Sequence, residues 1–143
     1  MKGVLVRHAR AGKRAAWKGD DRLRPLDERG RRQAAGLVAP LTAFGVDRLV
    51  SSPYVRCVQT LVPLADSLGL AVEERDELAE GATADAVRRL LGDLAPHTPA
   101  LCTHGDVVES LLGEQRGLRK GAARVFELAE GELRLGADVP PPA

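Results

Sequence analysis

Three short apolar stretches of this chain each lead directly into polar side chains that can carry out chemistry. Residues 4–6 precede Arg7 and His8, residues 49–50 precede Ser51 and Ser52, and residues 100–102 precede Thr103 and His104. Short apolar runs of this kind are typical of buried strands in an α/β sheet, although the run alone does not exclude a helix. Ligands of open α/β sheets bind beyond the carboxyl ends of the strands, so the three ends are expected to meet at one site.

The segments between these stretches carry the start and stop signals of helices. Helix starts are predicted at Asp27, Pro53, Thr83 and Gly105. Farther along, residues 124–128 and 132–135 alternate polar with apolar side chains around Gly131, which predicts a terminal hairpin. The sequence therefore predicts an α/β sandwich around a largely parallel sheet, followed by a C-terminal hairpin.

The length of 143 residues corresponds to about one domain. We assign residues 1–136 to that domain and residues 137–143, which contain three successive prolines, to a tail. No apolar run approaches the ~20 residues of a spanning helix, and the N-terminus lacks a signal-peptide core, so no membrane is expected and the cytoplasm is the expected compartment. Cys57 and Cys102 are expected to be buried free thiols.

Positive charge is concentrated in the first quarter of the chain. Residues 1–32 contain eleven Lys or Arg and four Asp or Glu, although the whole chain has a net charge of only +1. Part of this charge lies in residues 10–24, a polar segment with no apolar period that is predicted to be a loop. Such a segment is either solvated surface or a face for an anionic partner. With only four aromatic residues, stacking on an extended nucleic acid is not expected.

Arginines, histidines and hydroxyl groups at the predicted strand ends suit a tetrahedral dianion such as phosphate. The candidates are Arg7, His8, Ser52, Arg56 and His104, together with backbone N–H groups at Gly105. A histidine in this position can be a structural hydrogen-bond partner, a metal ligand or a nucleophile. A metal site would need a third ligand and would place a cation beside arginines, so no metal is expected.

The magnitude of the imidazole pKa indicates what the arginines would do. A free histidine with a pKa near ~6.5 is already mostly neutral at pH 7, so a lower pKa would raise its nucleophilic fraction by less than about twofold. The arginines would therefore act mainly by stabilising charge on the transferring phosphoryl oxygens. Each well-placed donor of this kind contributes roughly 3 kcal/mol or more.

Three motifs, taken in order, resemble those of the histidine phosphatase superfamily, the phosphoglycerate-mutase-like or "RHG" proteins. They are Arg7-His8-Ala9, Ser51-Ser52-Pro53-x-x-Arg56-x-x-Gln59-Thr60 and Thr103-His104-Gly105. The resemblance covers nearly the whole chain, and it is greatest for the short bacterial phosphohistidine phosphatases and for phosphatase domains attached to Nudix hydrolases. It implies a three-layer sandwich with a central, mostly parallel sheet.

The resemblance also implies a hydrolase of phosphomonoester, phosphoanhydride or phosphohistidine bonds that works through a phosphohistidine intermediate, without a metal or another cofactor. His8 would be the nucleophile, and Arg7, Arg56 and His104 would bind the phosphoryl oxygens. The substrate would be a phosphohistidine protein or a phosphorylated small molecule such as a nucleotide. The sequence does not predict an oligomeric state.

Glu80 resembles the proton donor that many members of the family place after the third strand, and Glu77 is held in reserve for the same role. A leaving alkoxide needs a proton more than a leaving imidazole does, so a functional Glu80 would favour phosphate esters or anhydrides. Glu80 is also one of several acids in residues 73–80, so the interpretation as a solvated acid stays open.

Ala9 departs from the family, which usually has glycine after the histidine. If this position requires a positive φ or a close backbone approach, alanine costs perhaps ~1 kcal/mol and disturbs the pocket. A second hypothesis is therefore a catalytically weak phosphate- or protein-binding module of the same fold. Arg10 and Lys13 are secondary candidates for binding further phosphates or an acidic protein surface, so their charge alone does not choose between substrates.

Overall fold

Six strands form one sheet in the computed structural model, which describes residues 1–143. The strands are β1 (Lys2–Arg7), β2 (Arg48–Ser51), β3 (Val72–Glu74), β4 (Pro99–Thr103), β5 (Ala123–Ala129) and β6 (Glu132–Val139). Their order across the sheet is β3-β2-β4-β1-β5-β6. The pairs β3–β2, β2–β4 and β4–β1 are parallel, and β1–β5 and β5–β6 are antiparallel. The predicted α/β fold and C-terminal hairpin are thus confirmed.

Five α-helices cover the two faces of the sheet. They are α1 (Glu28–Gly36), α2 (Val38–Phe44), α3 (Val55–Leu68), α4 (Ala84–Leu94) and α5 (Gly105–Leu112). Successive strand side chains point to opposite faces. Leu5 packs with the apolar side of α4 and α5, whereas its neighbours Val4 and Val6 pack with α2 and α3. This alternation produces three layers, and none of the helices is long and apolar enough to cross a membrane.

The helix ends follow the signals in the sequence. The Asp27 carboxylate accepts from the amide of Gly30 at 2.8 Å, and the Thr83 hydroxyl accepts from the amide of Ala86 at 3.1 Å. The break between α1 and α2 falls at Leu37, because Pro40 has no N–H to donate to the carbonyl one turn earlier.

Some boundaries differ from the predictions. Pro53 lies before α3 rather than in its first turn, and Tyr54 is the N-cap. Residues 10–24, predicted as an unstructured loop, contain two 3-10 helices, Arg14–Ala16 and Asp21–Leu23. The tail predicted for residues 137–143 begins later, because β6 keeps its pairing with β5 as far as Val139.

Backbone register brings the three predicted strand ends together. Arg7 on β1 lies opposite Thr103 on β4, and Ser51 on β2 lies opposite Cys102. The amide of His8 continues the ladder with a hydrogen bond of 3.1 Å to the carbonyl of Thr103. Because β1, β4 and β2 are parallel neighbours, their carboxyl ends open on the same edge of the sheet.

Candidate active site

A cavity of about 600 Å³ lies at the carboxyl ends of β1, β2 and β4. Its lining residues are almost all polar: Arg7, His8, Gly12, Lys13, Arg14, Ala15, Arg24, Arg56, Glu80, His104, Gly105, Asp106, Glu109 and Lys120. Six of these side chains are cationic and three are acidic. This excess of positive charge suits an anionic ligand and repels a free cation.

His8 lies at the floor of this cavity with only 6% of its surface exposed. Its Nδ1 lies 2.8 Å from the carbonyl oxygen of Ala9. Because a carbonyl oxygen can only accept, Nδ1 carries the proton in the neutral ring, and Nε2 keeps its lone pair. Burial and, to a smaller extent, the charges of His104, Arg56 and Arg7 together lower the pKa of His8 from 6.5 to about 3, against the opposing effect of the Ala9 carbonyl.

Three buried nitrogens at the site have no hydrogen-bond partner in the protein. They are Nε of Arg7, Nε of Arg56 and Nδ1 of His104. Buried polar groups are almost always satisfied, and an unsatisfied one costs about 1–3 kcal/mol. All three residues line the same cavity as His8, so they are available to donate hydrogen bonds to an anion bound there.

The start of α5 holds the Arg7 guanidinium in place. Arg7 Nη1 donates to the carbonyl of Leu118 at 2.8 Å. A Cβ at Gly105 would lie 2.8 Å from Arg7 Cζ, so only glycine leaves room for the guanidinium at the helix N-terminus. The first amides of α5 have no acceptor within the helix and receive no side-chain cap from His104. Gly105 therefore contributes space as well as backbone N–H groups.

Arg56 is 1% exposed and is held by Asp21. Its Nη1 donates to the Asp21 carbonyl at 2.8 Å, and its Nη2 donates to the Asp21 carboxylate at 3.1 Å. The same carboxylate also binds Arg24 at 2.8 Å and Arg14 at 3.4 Å. Burial raises the pKa of Asp21, but the bond from Arg24 and the charges of Arg56, Arg24 and Arg14 bring it below its ordinary value. These ion pairs of Asp21 form a network that holds the segment 10–24 against the site.

His104 is oriented by groups behind it. Its Nε2 lies 2.9 Å from Ser52 Oγ, and Ser52 Oγ accepts from the amide of Tyr54 at 3.2 Å. The Ser52 hydroxyl can donate to Nε2, and in that tautomer the ring proton is on Nδ1, which has no partner. The ring of Tyr54 packs edge-on against His104 at 4.6 Å and lies beneath Arg56 at 4.9 Å. Ser52 therefore lies behind His104 and does not line the cavity.

Glu80 lies at the rim of the cavity, as its position in the sequence predicted. Its carboxylate binds Arg14 at 2.7 Å and lies 3.7 Å from Arg56. The next amide, that of Gly81, donates to the Asp106 carboxylate at 2.8 Å, which ties the Glu80 segment to α5. Glu77 pairs with Arg75 outside the cavity and is not part of the site.

Ala9 does not strain the backbone. Glu130 is the only residue other than glycine with a positive φ, so alanine meets no conformational penalty of that kind at position 9. The side chain is completely buried, and its amide donates to Thr60 Oγ1 at 2.9 Å. A positive φ at position 9, one of the two reasons for expecting a disturbed pocket, is therefore absent from the structure.

Lys13 and Arg10, two of the secondary candidates for substrate binding, lie in different parts of the surface. Lys13 lines the cavity, but Arg10 does not; its Nε pairs with Asp27 at 3.0 Å and faces an adjoining groove. Lys120, which sequence reasoning missed, lines both. Burial and then the charges of Arg7 and neighbouring arginines lower the pKa of Lys120. Lys120 neither follows a strand nor belongs to a motif. Asp21 lies in the segment Gly19-Asp20-Asp21, which resembles the Nudix-associated phosphatase domains, but the resemblance gave it no role in the site.

Sequence comparison matches the chain to a known family and to a curated relative. The family model described as "Histidine phosphatase superfamily (branch 1)" matches residues 4–84. The chain is 43% identical, over 94% of its length, to an 8-oxo-(d)GTP phosphatase of Mycolicibacterium smegmatis. It spans about half of that relative, 46% of its length.

Solved structures share the whole fold. The protein histidine phosphatase SixA complexed with tungstate superposes with a TM-score of 0.86 at 22% identity, over 99% of this chain and 97% of that one. The mycobacterial glucosyl-3-phosphoglycerate phosphatase Rv2419c complexed with VO3 superposes with a TM-score of 0.77 at 18% identity, over 99% of each chain. At these identities, the likeness shows the fold alone.

Proposed function

Because the chain belongs to the histidine phosphatase superfamily, we propose that it hydrolyses phosphomonoester, phosphoanhydride or phosphohistidine bonds through a phosphohistidine intermediate on His8. One observation carries this proposal: Arg7, Arg56 and His104, each with a buried nitrogen that has no partner, line the same cavity as His8, whose Nδ1 is bonded to the Ala9 carbonyl and whose Nε2 keeps its lone pair. Those donors match the oxygens of a phosphoryl group, whose charge they would stabilise during transfer.

At phosphorus, the first half-reaction forms one bond and breaks one. The Nε2 lone pair of His8 attacks phosphorus, the bond from phosphorus to the leaving oxygen breaks, and Glu80 gives a proton to that oxygen. The phosphorylated ring carries positive charge, which the Ala9 carbonyl at Nδ1 stabilises. Arg7, Arg56 and His104 hold the three phosphoryl oxygens throughout the transfer.

Water completes the cycle in the second half-reaction. Its oxygen attacks phosphorus, the N–P bond to His8 breaks, and Glu80 takes the proton that water loses. Glu80 thereby returns to its starting state, and inorganic phosphate leaves. Each step uses only the side chains of this cavity, and the positive charge that suits phosphate would oppose a divalent cation.

A turnover assay tests the proposal. Wild type should hydrolyse p-nitrophenyl phosphate at the same rate with and without EDTA, and His8→Ala should lose at least 10³-fold in kcat while keeping its circular dichroism spectrum. His97→Ala, which removes an exposed histidine far from the cavity, is the matched control and should keep full activity. Full turnover by folded His8→Ala would contradict the mechanism, and loss of activity with EDTA would indicate a metal enzyme.

The substrate belongs to one of two classes. The mycobacterial relative is named for a nucleotide, 8-oxo-(d)GTP, and a protein of the same fold is a protein histidine phosphatase. A panel of nucleoside phosphates, sugar phosphates and a phosphohistidine protein, run with wild type and His8→Ala, distinguishes the classes by kcat/KM.

A further inference from the structure

A second concave site, a groove of about 460 Å³, adjoins the active-site cavity. The residues that line it are Arg10, Gly12, Lys13, Arg29, Gln33, Arg119, Lys120 and the last three of the chain, Pro141, Pro142 and Ala143. Five of its side chains are cationic, and none is a carboxylate. We call this site the basic groove.

The basic groove is continuous with the active-site cavity. Gly12, Lys13 and Lys120 line both of them. A ligand whose reacting group lies beside His8 can therefore extend into the basic groove past the two lysines. Because the groove is concave and has cations along it, it complements a short chain of negative charges better than a single one.

The charges of the basic groove are mostly unmatched. In the active-site cavity, Arg14, Arg24 and Arg56 all pair with Asp21. In the basic groove only Arg10 has a carboxylate within 4.0 Å, that of Asp27. The other four cations, Lys13, Arg29, Arg119 and Lys120, make no ion pair within the protein.

Both walls of the groove are fixed to the backbone around His8. On one side, the amide of Gly121 donates to the carbonyls of Arg7 and His8 at 3.1 Å each, which holds the adjacent Arg119 and Lys120. On the other side, Gln33 Oε1 accepts from the amide of Arg10 at 3.0 Å.

Close helix packing completes the second wall. A Cβ at Gly30 would lie 1.9 Å from the Arg10 carbonyl oxygen, so glycine lets α1 approach and bring Arg29 to the groove. The groove is therefore positioned relative to the candidate nucleophile by main-chain contacts rather than by a mobile loop.

We propose that the basic groove binds the distal phosphates of a linear phosphoanhydride whose terminal phosphoryl group is transferred to His8. This inference rests on the proposed function and narrows its substrate class. The terminal group needs only Arg7, Arg56 and His104, so the additional cations serve the leaving group. In this step, Nε2 of His8 bonds to the terminal phosphorus, the bridging P–O bond breaks, and its oxygen leaves on the shortened polyphosphate, whose charge the groove stabilises.

Paired substrates test the inference. Tripolyphosphate reaches both sites, whereas p-nitrophenyl phosphate has no distal phosphate. The double variant Arg29→Gln/Arg119→Gln alters only side chains outside the active-site cavity. It should lower kcat/KM for tripolyphosphate about tenfold, with all constants for p-nitrophenyl phosphate within twofold of wild type.

The matched control removes the same charge elsewhere. Arg89→Gln/Arg116→Gln, two exposed arginines away from both sites, should leave kcat/KM for tripolyphosphate within twofold of wild type. Equal effects of the two double variants, or no effect of either, would overturn the inference. So would an effect limited to a phosphohistidine protein, because the groove would then serve an acidic protein surface.

A binding measurement separates this inference from the proposed function. Calorimetric titration of His8→Ala should show tripolyphosphate binding at least tenfold tighter than inorganic phosphate, and the Arg29→Gln/Arg119→Gln changes should remove that difference. If wild type hydrolyses neither substrate, the proposed function fails, and this titration still tests the groove. Equal affinities for tripolyphosphate and phosphate would overturn the inference even if the enzyme hydrolyses p-nitrophenyl phosphate.

Discussion

Nδ1 of His8 lies 2.8 Å from the carbonyl oxygen of Ala9, and this contact determines which nitrogen of the ring can react. The proton on Nδ1 is held by the carbonyl, so the lone pair is on Nε2. In the proposed phosphorylated state, the same carbonyl faces a cationic ring and stabilises it. The position after the histidine thus contributes its main-chain oxygen to the site, which alanine supplies as well as glycine does.

Burial of His8 predicts a stability that falls in acid. Its pKa is about 3 in the folded protein, against ~6.5 when unfolded, so between these values only the unfolded chain binds the proton. Folding therefore loses about 1.4 kcal/mol per pH unit below 6.5, or about 2 kcal/mol at pH 5. In urea unfolding at pH 7 and pH 5, His8→Gln should lose about 2 kcal/mol less than wild type.

His97→Gln is the control for that measurement, because it removes an exposed imidazole instead of a buried one. Its loss of stability between pH 7 and pH 5 should follow that of wild type. If His8→Gln shows the same pH dependence as wild type, His8 titrates normally in the folded protein, and the account of its burial is wrong.

The contact between Gly105 and Arg7 predicts a large effect from one added methyl group. A Cβ at position 105 would lie 2.8 Å from Arg7 Cζ and displace a phosphate-binding guanidinium. Gly105→Ala should lower kcat/KM for p-nitrophenyl phosphate by roughly 10²-fold, since one misplaced donor costs about 3 kcal/mol. Gly92→Ala in α4, where a Cβ meets no atom within 4 Å, should leave activity unchanged. Similar kinetics for the two variants would show that Arg7 tolerates displacement.

Proton donation by Glu80 predicts dependence on the leaving group. An alkoxide needs a proton to leave, whereas p-nitrophenolate leaves without one. Glu80→Gln should therefore lower kcat/KM, which reports the phosphorylation step, by roughly 10²–10⁴-fold for an alkyl phosphate and much less for p-nitrophenyl phosphate. Glu77→Gln, which changes a carboxylate outside the cavity, should affect neither substrate. An equal loss on both substrates would assign Glu80 to holding Arg14 and Arg56 rather than to proton transfer.

Much of the site could be predicted from the sequence because it follows the strands. Arg7, His8 and His104 lie at or just after the ends of buried apolar runs. These runs pair as parallel strands, and few other strand topologies are open to a chain of this length. Glu80 was found through resemblance to the family. Its contacts with Arg14 and Arg56 at the cavity could not be predicted from the sequence, and its role as proton donor stays a prediction.

Other features could not be predicted because they depend on how loops pack. Asp21 binds Arg14, seven residues earlier, and Arg24 and Arg56, three and 35 residues later, and no periodicity marks such a group. Lys120 reaches the cavity through the hydrogen bonds of Gly121 to the end of β1, a contact across more than 110 residues of sequence. Charge asymmetry indicated an anionic partner for residues 10–24, but it did not show that Arg10 faces the basic groove instead of the cavity.

The central claim, that His8 Nε2 carries the phosphoryl group, is tested most directly by rapid-quench trapping with a phosphorylated substrate followed by mapping of the modified residue. The account predicts acid-labile, alkali-stable phosphate on Nε2 of His8, formed within one turnover and absent from folded His8→Ala. Label on His104, or steady turnover with no labelled protein at any quench time, would contradict it.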